Sequence, residues 1–395
     1  MTSMRCVYIT HEYPTSTQTF VEAELMELRK QGANVLWFPI HGTKAAGRSS
    51  EGFGPRRWIP FSARFRVVFR ALRSFGRILR IIALPPRNLR HYATQIFALG
   101  KALQLAQNVE GRGWGAIQLH AHFLGRTLDV LAFSKVLLPE SRSSATAHAA
   151  DASHPESPQR LKTLVSDLDR IFAASQHVSR QLEASTGRPA DLVVHCGVRP
   201  QPHSSFRGRA AVPRIVSVGR LVEKKGFTDC LTAARELVDR GLSFEWTIVG
   251  GGPLEFSLIR KIAELNLEPF VSLVGPASHA SVMSLLESSC DIFVLASRRA
   301  EDGDTDGIPV VLMEAASFGV PVVSTHIGGI PELLIPGSGL LVTPGETSSL
   351  ADAIGSLLSS PNYAVELGAR GRRVVEGSFN IEVEVSKLRK AIFEP

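Results

Sequence analysis

The chain has 395 residues, 44% of them hydrophobic, enough apolar material for two domains with cores of their own. Its four cysteines (Cys6, Cys196, Cys230, Cys290) form no CxxC pair and show no His spacing typical of zinc, which argues for a reducing compartment and against a disulfide framework or a structural metal. The formal net charge is +7, no apolar run approaches the roughly 18 residues of a spanning helix, and no signal-peptide pattern precedes the first strand, so a cytoplasmic protein is expected.

The first strand-like run, Arg5-Cys6-Val7-Tyr8-Ile9-Thr10, leads into His11-Glu12-Tyr13-Pro14-Thr15-Ser16-Thr17-Gln18-Thr19-Phe20, and a second strand is expected over 33–38. Charge then becomes lopsided. Up to residue 200 there are 26 Lys/Arg against 14 Asp/Glu; beyond it, 18 against 23. Residues 52–109 hold 11 Lys/Arg and no acid at all. Within them Arg66, Arg70, Arg73, Arg77 and Arg80 recur at intervals of 4, 3, 4 and 3, one face of a helical segment over 61–84. Phe65, Val68, Phe69, Leu72, Phe75, Ile78, Leu79 and Ile82 fill much of the rest, and Pro85-Pro86 stops the helix. Such a helix suits a membrane interface rich in anionic headgroups; the plainer reading is a packed helix with a solvated Arg edge. No nucleic-acid module accompanies the stripe, so nucleic acid is not an expected partner.

Further strands are expected over 116–120, 143–147, 169–173 and 191–195, alternating with helices as in parallel α/β sheets. His120-Ala121-His122-Phe123 follows the first of these, and Ala145-Thr146-Ala147-His148-Ala149-Ala150-Asp151 the second, where an Asp three residues on could orient His148. With no thiolates and no matched carboxylate spacing nearby, these histidines are not expected to bind a metal. Residues 197–213, rich in Pro, Arg, Ser and Gly, read as a linker.

The second half repeats the pattern with strands over 214–218, 244–249, 270–274, 291–295, 320–324 and 339–342, so the chain reads as two Rossmann-like halves bordering one cleft. Gly219 allows a sharp turn after the first of these, from which Arg220 and Lys225 can reach a common point and hold a diphosphate. Gly250-Gly251-Gly252-Pro253 lacks the side chains that would keep a ligand from the backbone. After the acidic loop Glu301-Asp302-Gly303-Asp304 comes Asp306-Gly307-Ile308-Pro309-Val310-Val311-Leu312-Met313-Glu314, two carboxylates eight apart. Pro309 suits a first helical position, and Glu314 then lies in an apolar helix, where it needs hydrogen-bond donors such as the neighbouring hydroxyls of a ribose. Gly328-Gly329-Ile330-Pro331-Glu332 opens another helix, whose free N–H groups favour phosphate. The final segment, 380–395, reads as a helix that could cross back to the first domain.

As a set, Ser217-Val218-Gly219-Arg220-Leu221 with Lys225-Gly226, Ile248 to Pro253, and Asp306 to Glu314 continued to Val323 resemble the retaining glycosyltransferases of family four. The Asp-Gly-Ile-Pro variant is similar to the subgroup that builds exopolysaccharides such as colanic acid. The resemblance implies a GT-B architecture, with an acceptor domain over 1–198 and a nucleotide-sugar domain over 199–379. It implies that Glu314 holds the ribose and that Arg220 and Lys225 hold the diphosphate. Asp306 with the Gly307, Ile308 and Pro309 backbone would contact the donor sugar, and Gly219, Gly251 and Val274 would line the nucleotide. His148 would meet the reacting sugar, and Gln18, His122 and Asp151 would border the acceptor. The family usually has Glu where this chain has Asp306, and the subgroup Glu where it has Gln18.

The expected activity is therefore a retaining hexosyl transfer from a UDP- or GDP-sugar to a lipid-linked or polysaccharide acceptor, without a metal or other cofactor, at the inner membrane face. A nucleotide-sugar epimerase, or a non-catalytic GT-B subunit that binds a saccharide or a partner, are the alternatives.

Overall fold

The computed structural model describes residues 5–11, 19–41, 59–85, 88–149, 151, 157–201 and 211–394. Gln18 lies outside them. The chain divides into two compact units, Met1–His195 with Glu384–Pro395, and Cys196–Val383.

The first unit is built on a six-stranded sheet in the order β2-β1-β3-β4-β5-β6, with β1 Arg5–Thr10, β2 Asn34–Pro39, β3 Gln118–His122, β4 Arg142–Ala147, β5 Arg170–Ala173 and β6 Leu192–Val193. Every pairing is parallel. All five residues of β3 are buried, as are five of the six in β1 and β4. Continuous burial is what a parallel strand covered on both faces requires. The covering helices are α1 Thr19–Lys30, α2 Phe61–Arg73, α3 Phe75–Ile82, α4 Leu89–Gly111, α5 Arg126–Leu137, α6 Pro158–Ser166 and α7 Gln176–Thr186. Asn88, Ser157 and Ser175 cap α4, α6 and α7 by accepting backbone N–H bonds. Buried Arg160 of α6 ties three elements together: it pairs with Asp129 of α5, bonds Gln95 of α4, and donates to the Ile81 carbonyl of α3 at 2.8 Å.

The expected helix over 61–84 is two helices. Ser74, at φ −101° and ψ 12°, ends α2 and starts α3. Ser74 and Gly76, separated only by Phe75, are poor helix residues, and the chain turns at the first of them.

In the second unit the order is β12-β11-β10-β7-β8-β9, again all parallel, with β7 Arg214–Val218, β8 Glu245–Val249, β9 Val271–Leu273, β10 Ile292–Leu295, β11 Val322–Thr325 and β12 Leu340–Val342. Around it lie α8 Phe227–Asp239, α9 Glu255–Glu264, α10 His279–Ser288, α11 Val310–Ser317, α12 Ile330–Leu333, α13 Thr347–Ser359 and α14 Pro361–Ser378. The start of the expected linker is structured instead. Val198 is buried and bridged to Asn380, its N–H donating to the Phe379 carbonyl at 2.9 Å. Gly197 lies so close to this strand-like contact that a Cβ there would be 2.5 Å from Ile381 Cα. The last helix, α15 Ile381–Phe393, belongs to the first unit from Glu384 onward. There Leu388 and Ile392 pack with Phe172 and Val194, and Glu384 Oε2 accepts the His195 N–H at 2.8 Å.

Each sheet reverses its strand order once, between β1 and β3 in the first unit and between β7 and β10 in the second. Loops leaving the carboxyl ends of such strand pairs part to form a crevice, where open α/β sheets bind ligands.

Candidate functional site

At the reversal in the second unit, the turn after β7 meets the loop after β10 through charges. Lys225 Nζ lies 2.7 Å from Asp306, and Lys224 Nζ lies 2.8 Å from Asp304 and 3.4 Å from Asp306. Burial opposes the charge on Lys224, but Asp306 and Asp304 outweigh it and hold its pKa above the ordinary lysine value. Arg220 is exposed, and its side chain has no ion-pair or hydrogen-bond partner among the described residues. The glycines serve the packing of loop on loop. A Cβ on Gly250 would lie 1.8 Å from the Gly219 carbonyl, and one on Gly328 (φ +60°) 2.3 Å from that of Asp306. The close approach that the sequence assigned to a ligand at Gly250 is thus made by protein backbone. Gly251 is different, its nearest neighbours being Pro276 atoms from 3.5 Å outward.

Gly307 accepts the Gly329 N–H at 3.0 Å, Ile308 packs against the core, and Pro309 stands at the N-cap of α11, one position before the first helical residue. Val274, just past β9, is 56% exposed. Glu314, on α11, is buried, and its Oε1 lies 2.8 Å from Nε2 of His279, the first residue of α10. That hydrogen bond raises the His279 pKa, against a smaller opposing effect of burial. The protein thus supplies one donor for the buried carboxylate, leaving Oε2 for others.

In the first unit the reversal gathers a buried polar cluster. His122 ends β3, and its Nδ1 lies 3.2 Å from His148 Nε2, just past β4. Its Nε2 lies 3.0 Å from Oε1 of Glu24 on α1, and the Tyr8 hydroxyl of β1 donates to the same oxygen at 2.8 Å. His120 is held separately by Ser144 at Nδ1 (2.8 Å) and Thr146 at Nε2 (3.2 Å). Burial, the largest cause, holds the His120 and His148 pKa values well below the ordinary one and so favours the neutral form of both rings. Asp151 accepts the His148 backbone N–H at 3.1 Å rather than bonding the ring. The carboxylate three residues on therefore fixes the main chain, and the ring is oriented from His122. Phe123 beside it adopts φ +72°, and its ring centroid is 4.4 Å from that of His148.

Donor atoms of Glu24, His120 and His122 lie within 4.8 Å of one another, a spacing a metal could use. A cation there would have to displace hydrogen bonds already made at both nitrogens of each histidine.

A third feature is on the surface of the first unit. Phe61, Phe65, Val68, Phe69, Leu72, Phe75 and Leu79 are exposed, whereas Val67 and Ile78 are buried. Phe61, Phe65 and Phe69 stack in a row with centroids 6.4 and 6.3 Å apart. Only part of the Arg stripe is unpaired by acids: Arg66 (3.0 Å) and Arg70 are turned onto Glu110, one residue past the acid-free window. Arg73 lies over the Phe69 ring at 5.8 Å, and Arg77 bonds Ser74 Oγ at 3.4 Å. Among the described residues no helix is long and apolar enough to cross a membrane.

Sequence reasoning missed Lys224, His279, Glu24 and Tyr8. Lys224 carried a signal, since two adjacent lysines precede Gly226. His279 and Glu24 meet their partners across 35 and 98 residues, and nothing local marks either.

Comparison with known proteins gives a consistent family. The family model described as Glycosyl transferases group 1 matches residues 206–374. The amylovoran biosynthesis glycosyltransferase AmsK of Erwinia amylovora is 30% identical over 98% of this chain and 99% of its own length. The putative colanic acid biosynthesis glycosyltransferase WcaL of Escherichia coli is 39% identical over 45% of each chain. Among solved structures, Anabaena HepE in complex with UDP-glucose superposes with a TM-score of 0.70 at 17% identity, covering 98% of this chain and 99% of that one. The sucrose-phosphate synthase of Thermosynechococcus elongatus does so at 0.71 and 19%, covering 99% of both.

Proposed function

This chain belongs to the group 1 glycosyl transferases and has the GT-B fold, and from that premise we propose that it moves a hexosyl unit from a UDP- or GDP-sugar, with retention, onto a lipid-linked or polysaccharide acceptor in exopolysaccharide synthesis. The observation that carries the proposal is the loop cluster at the β7/β10 reversal, where unpaired Arg220, Lys225 and the half-satisfied Glu314 all leave the carboxyl edge of one sheet.

Glu314 Oε2 takes ribose hydroxyls. Arg220 and Lys225 stabilise the negative charge that builds on the leaving diphosphate, the term that contributes most in such reactions. Asp306 and the backbone of Gly307, Ile308 and Pro309 hold the donor sugar, and Gly219, Gly251 and Val274 line the nucleotide. His148 hydrogen-bonds the reacting sugar, with His122, Asp151 and Gln18 on the acceptor side. No step requires a metal. The names of AmsK and WcaL support the exopolysaccharide assignment, and HepE, which binds UDP-glucose, supports a nucleotide-sugar donor. The apolar ridge of α2 and α3, flanked by Arg73, Arg77 and Arg80, supports contact with an anionic membrane, where a lipid-linked acceptor would reside.

Calorimetric titration of the protein with UDP, GDP and ADP, alongside Glu314→Ala, tests the reading. One nucleotide should bind saturably, and the variant should lose about 2 kcal/mol or more, roughly 30-fold in affinity. Absence of binding to all three would overturn it.

A further inference from the structure

The hydrogen bonds of the first unit's histidine cluster have a direction that can be worked out from one end. The Tyr8 hydroxyl donates to Glu24 Oε1; burial, then Glu24, push the Tyr8 pKa well above its ordinary value, so the phenol keeps its proton. Glu24 Oε1 is an acceptor for Tyr8 and lies 3.0 Å from His122 Nε2, so that nitrogen must carry a hydrogen. If His122 carries this one N–H and no second, its Nδ1 is a lone pair. His148 Nε2, 3.2 Å away, must then be the donor of that contact. In the neutral His148 ring the remaining nitrogen, Nδ1, is the acceptor, and it has no hydrogen-bond partner among the described residues.

We propose that Glu24 is a positioning residue for the transfer reaction: it holds His122 as a neutral ring protonated only at Nε2, which fixes His148 as the Nε2–H tautomer and so presents its Nδ1 as a hydrogen-bond acceptor to a sugar hydroxyl. The inference rests on His148 meeting the reacting sugar, as proposed above. It adds what that contact can recognise: a hydroxyl that donates, not a group that only accepts. Three elements converge to make it, β1 with Tyr8, α1 with Glu24 and the β3 end with His122, all at the reversal of one sheet. Phe20 and Phe123, with centroids 5.2 and 4.4 Å from that of His148, flank the ring and oppose its rotation.

Long-range proton–nitrogen correlation spectra of the ¹⁵N-histidine-labelled protein, assigned with His122→Asn and His148→Asn, read the tautomers directly. The wild type should show His148 protonated at Nε2 and bare at Nδ1. In Glu24→Gln, which keeps the volume, the His148 resonances should move toward a mixture of tautomers. The same variant should lose roughly 10-fold or more in kcat with the donor KM unchanged. A wild-type His148 protonated at Nδ1, a doubly protonated His122, or a His148 spectrum indifferent to Glu24→Gln would each overturn the proposal. The tautomers are read without substrate, and nucleotide affinity belongs to the other unit. Failure of the transferase reading would therefore appear in the titration and not in these spectra.

Discussion

Asp151 shows how a carboxylate can be read correctly by position and wrongly by partner. It lies three residues from His148 and touches its backbone, while the ring is held by His122, 26 residues away along the chain, and through it by Glu24, a further 98 residues from His122. Burial pushes the Asp151 pKa up to about 7, against the lowering effect of backbone N–H bonds from His148 and Leu124. A raised pKa means the fold favours the neutral acid. That stability is complete below the ordinary value of 3.8 and is lost as pH rises through about 7. Asp151→Asn cannot ionise, so its melting temperature should gain on that of the wild type between pH 5 and pH 8. A difference in Tm that stays constant over that range would contradict the raised pKa. At this scale the sequence revealed residue types rather than partners. Glu314 was marked by its apolar surroundings, but His279, its partner, looks in sequence like any surface histidine at a helix start. The Arg220 and Lys225 turn stood out in sequence because both cations follow Gly219 within seven residues, whereas the Lys225 contact with Asp306, far along the chain, did not.

Among elements, strands were the most legible: the twelve among the described residues lie where expected, with ends displaced by at most two residues, although β3 and β4 are rich in polar side chains. The Arg-striped segment was legible as amphipathic but not as broken, because periodicity continues through Ser74 while the backbone does not. Nor could spacing show which face is solvent. Apolar residues at 61, 65, 69 and 72 form the exposed ridge of α2, and Glu110 of α4 takes two of the arginines. If this ridge enters a bilayer interface, Phe65→Ser, Phe69→Ser and Leu72→Ser together should abolish co-sedimentation with phosphatidylglycerol vesicles without lowering the melting temperature, since the side chains are already exposed. Replacing Arg73, Arg77 and Arg80 with Gln should weaken vesicle binding by about 3 kcal/mol, roughly 100-fold, at about 1 kcal/mol per arginine. Equal binding of wild type and the serine variant would remove the membrane assignment.

For the whole molecule, two α/β units were foreseeable from the alternation of strands and helices, but the border was not. Gly197 and Val198 look like linker and are built into the second unit, because Gly197 lets the backbone approach Ile381, and Val198 exchanges backbone hydrogen bonds with Phe379 and Ile381 while its side chain joins the core. The chain passes between units twice, at His195 and again within α15, so the final helix is structural material of the first unit. Leu388 is fully buried there, with Phe172 and Val194. Leu388→Ala should cost about 2–5 kcal/mol in chemical denaturation, whereas removal of a dispensable tail residue would cost almost nothing. A change below about 0.5 kcal/mol would show that α15 contributes little to the first unit's stability.

The contact of Lys225 and Lys224 with Asp306 makes anion capture at this loop a trade rather than a neutralisation. On the donor binding proposed above, a diphosphate that takes Lys225 would have to outbid a carboxylate 2.7 Å from it, and the released carboxylate would become a fresh acceptor beside the sugar the diphosphate carries. On that reading the pair would work as a filter, favouring a phosphate that arrives with a sugar's hydroxyls attached over one that brings no sugar.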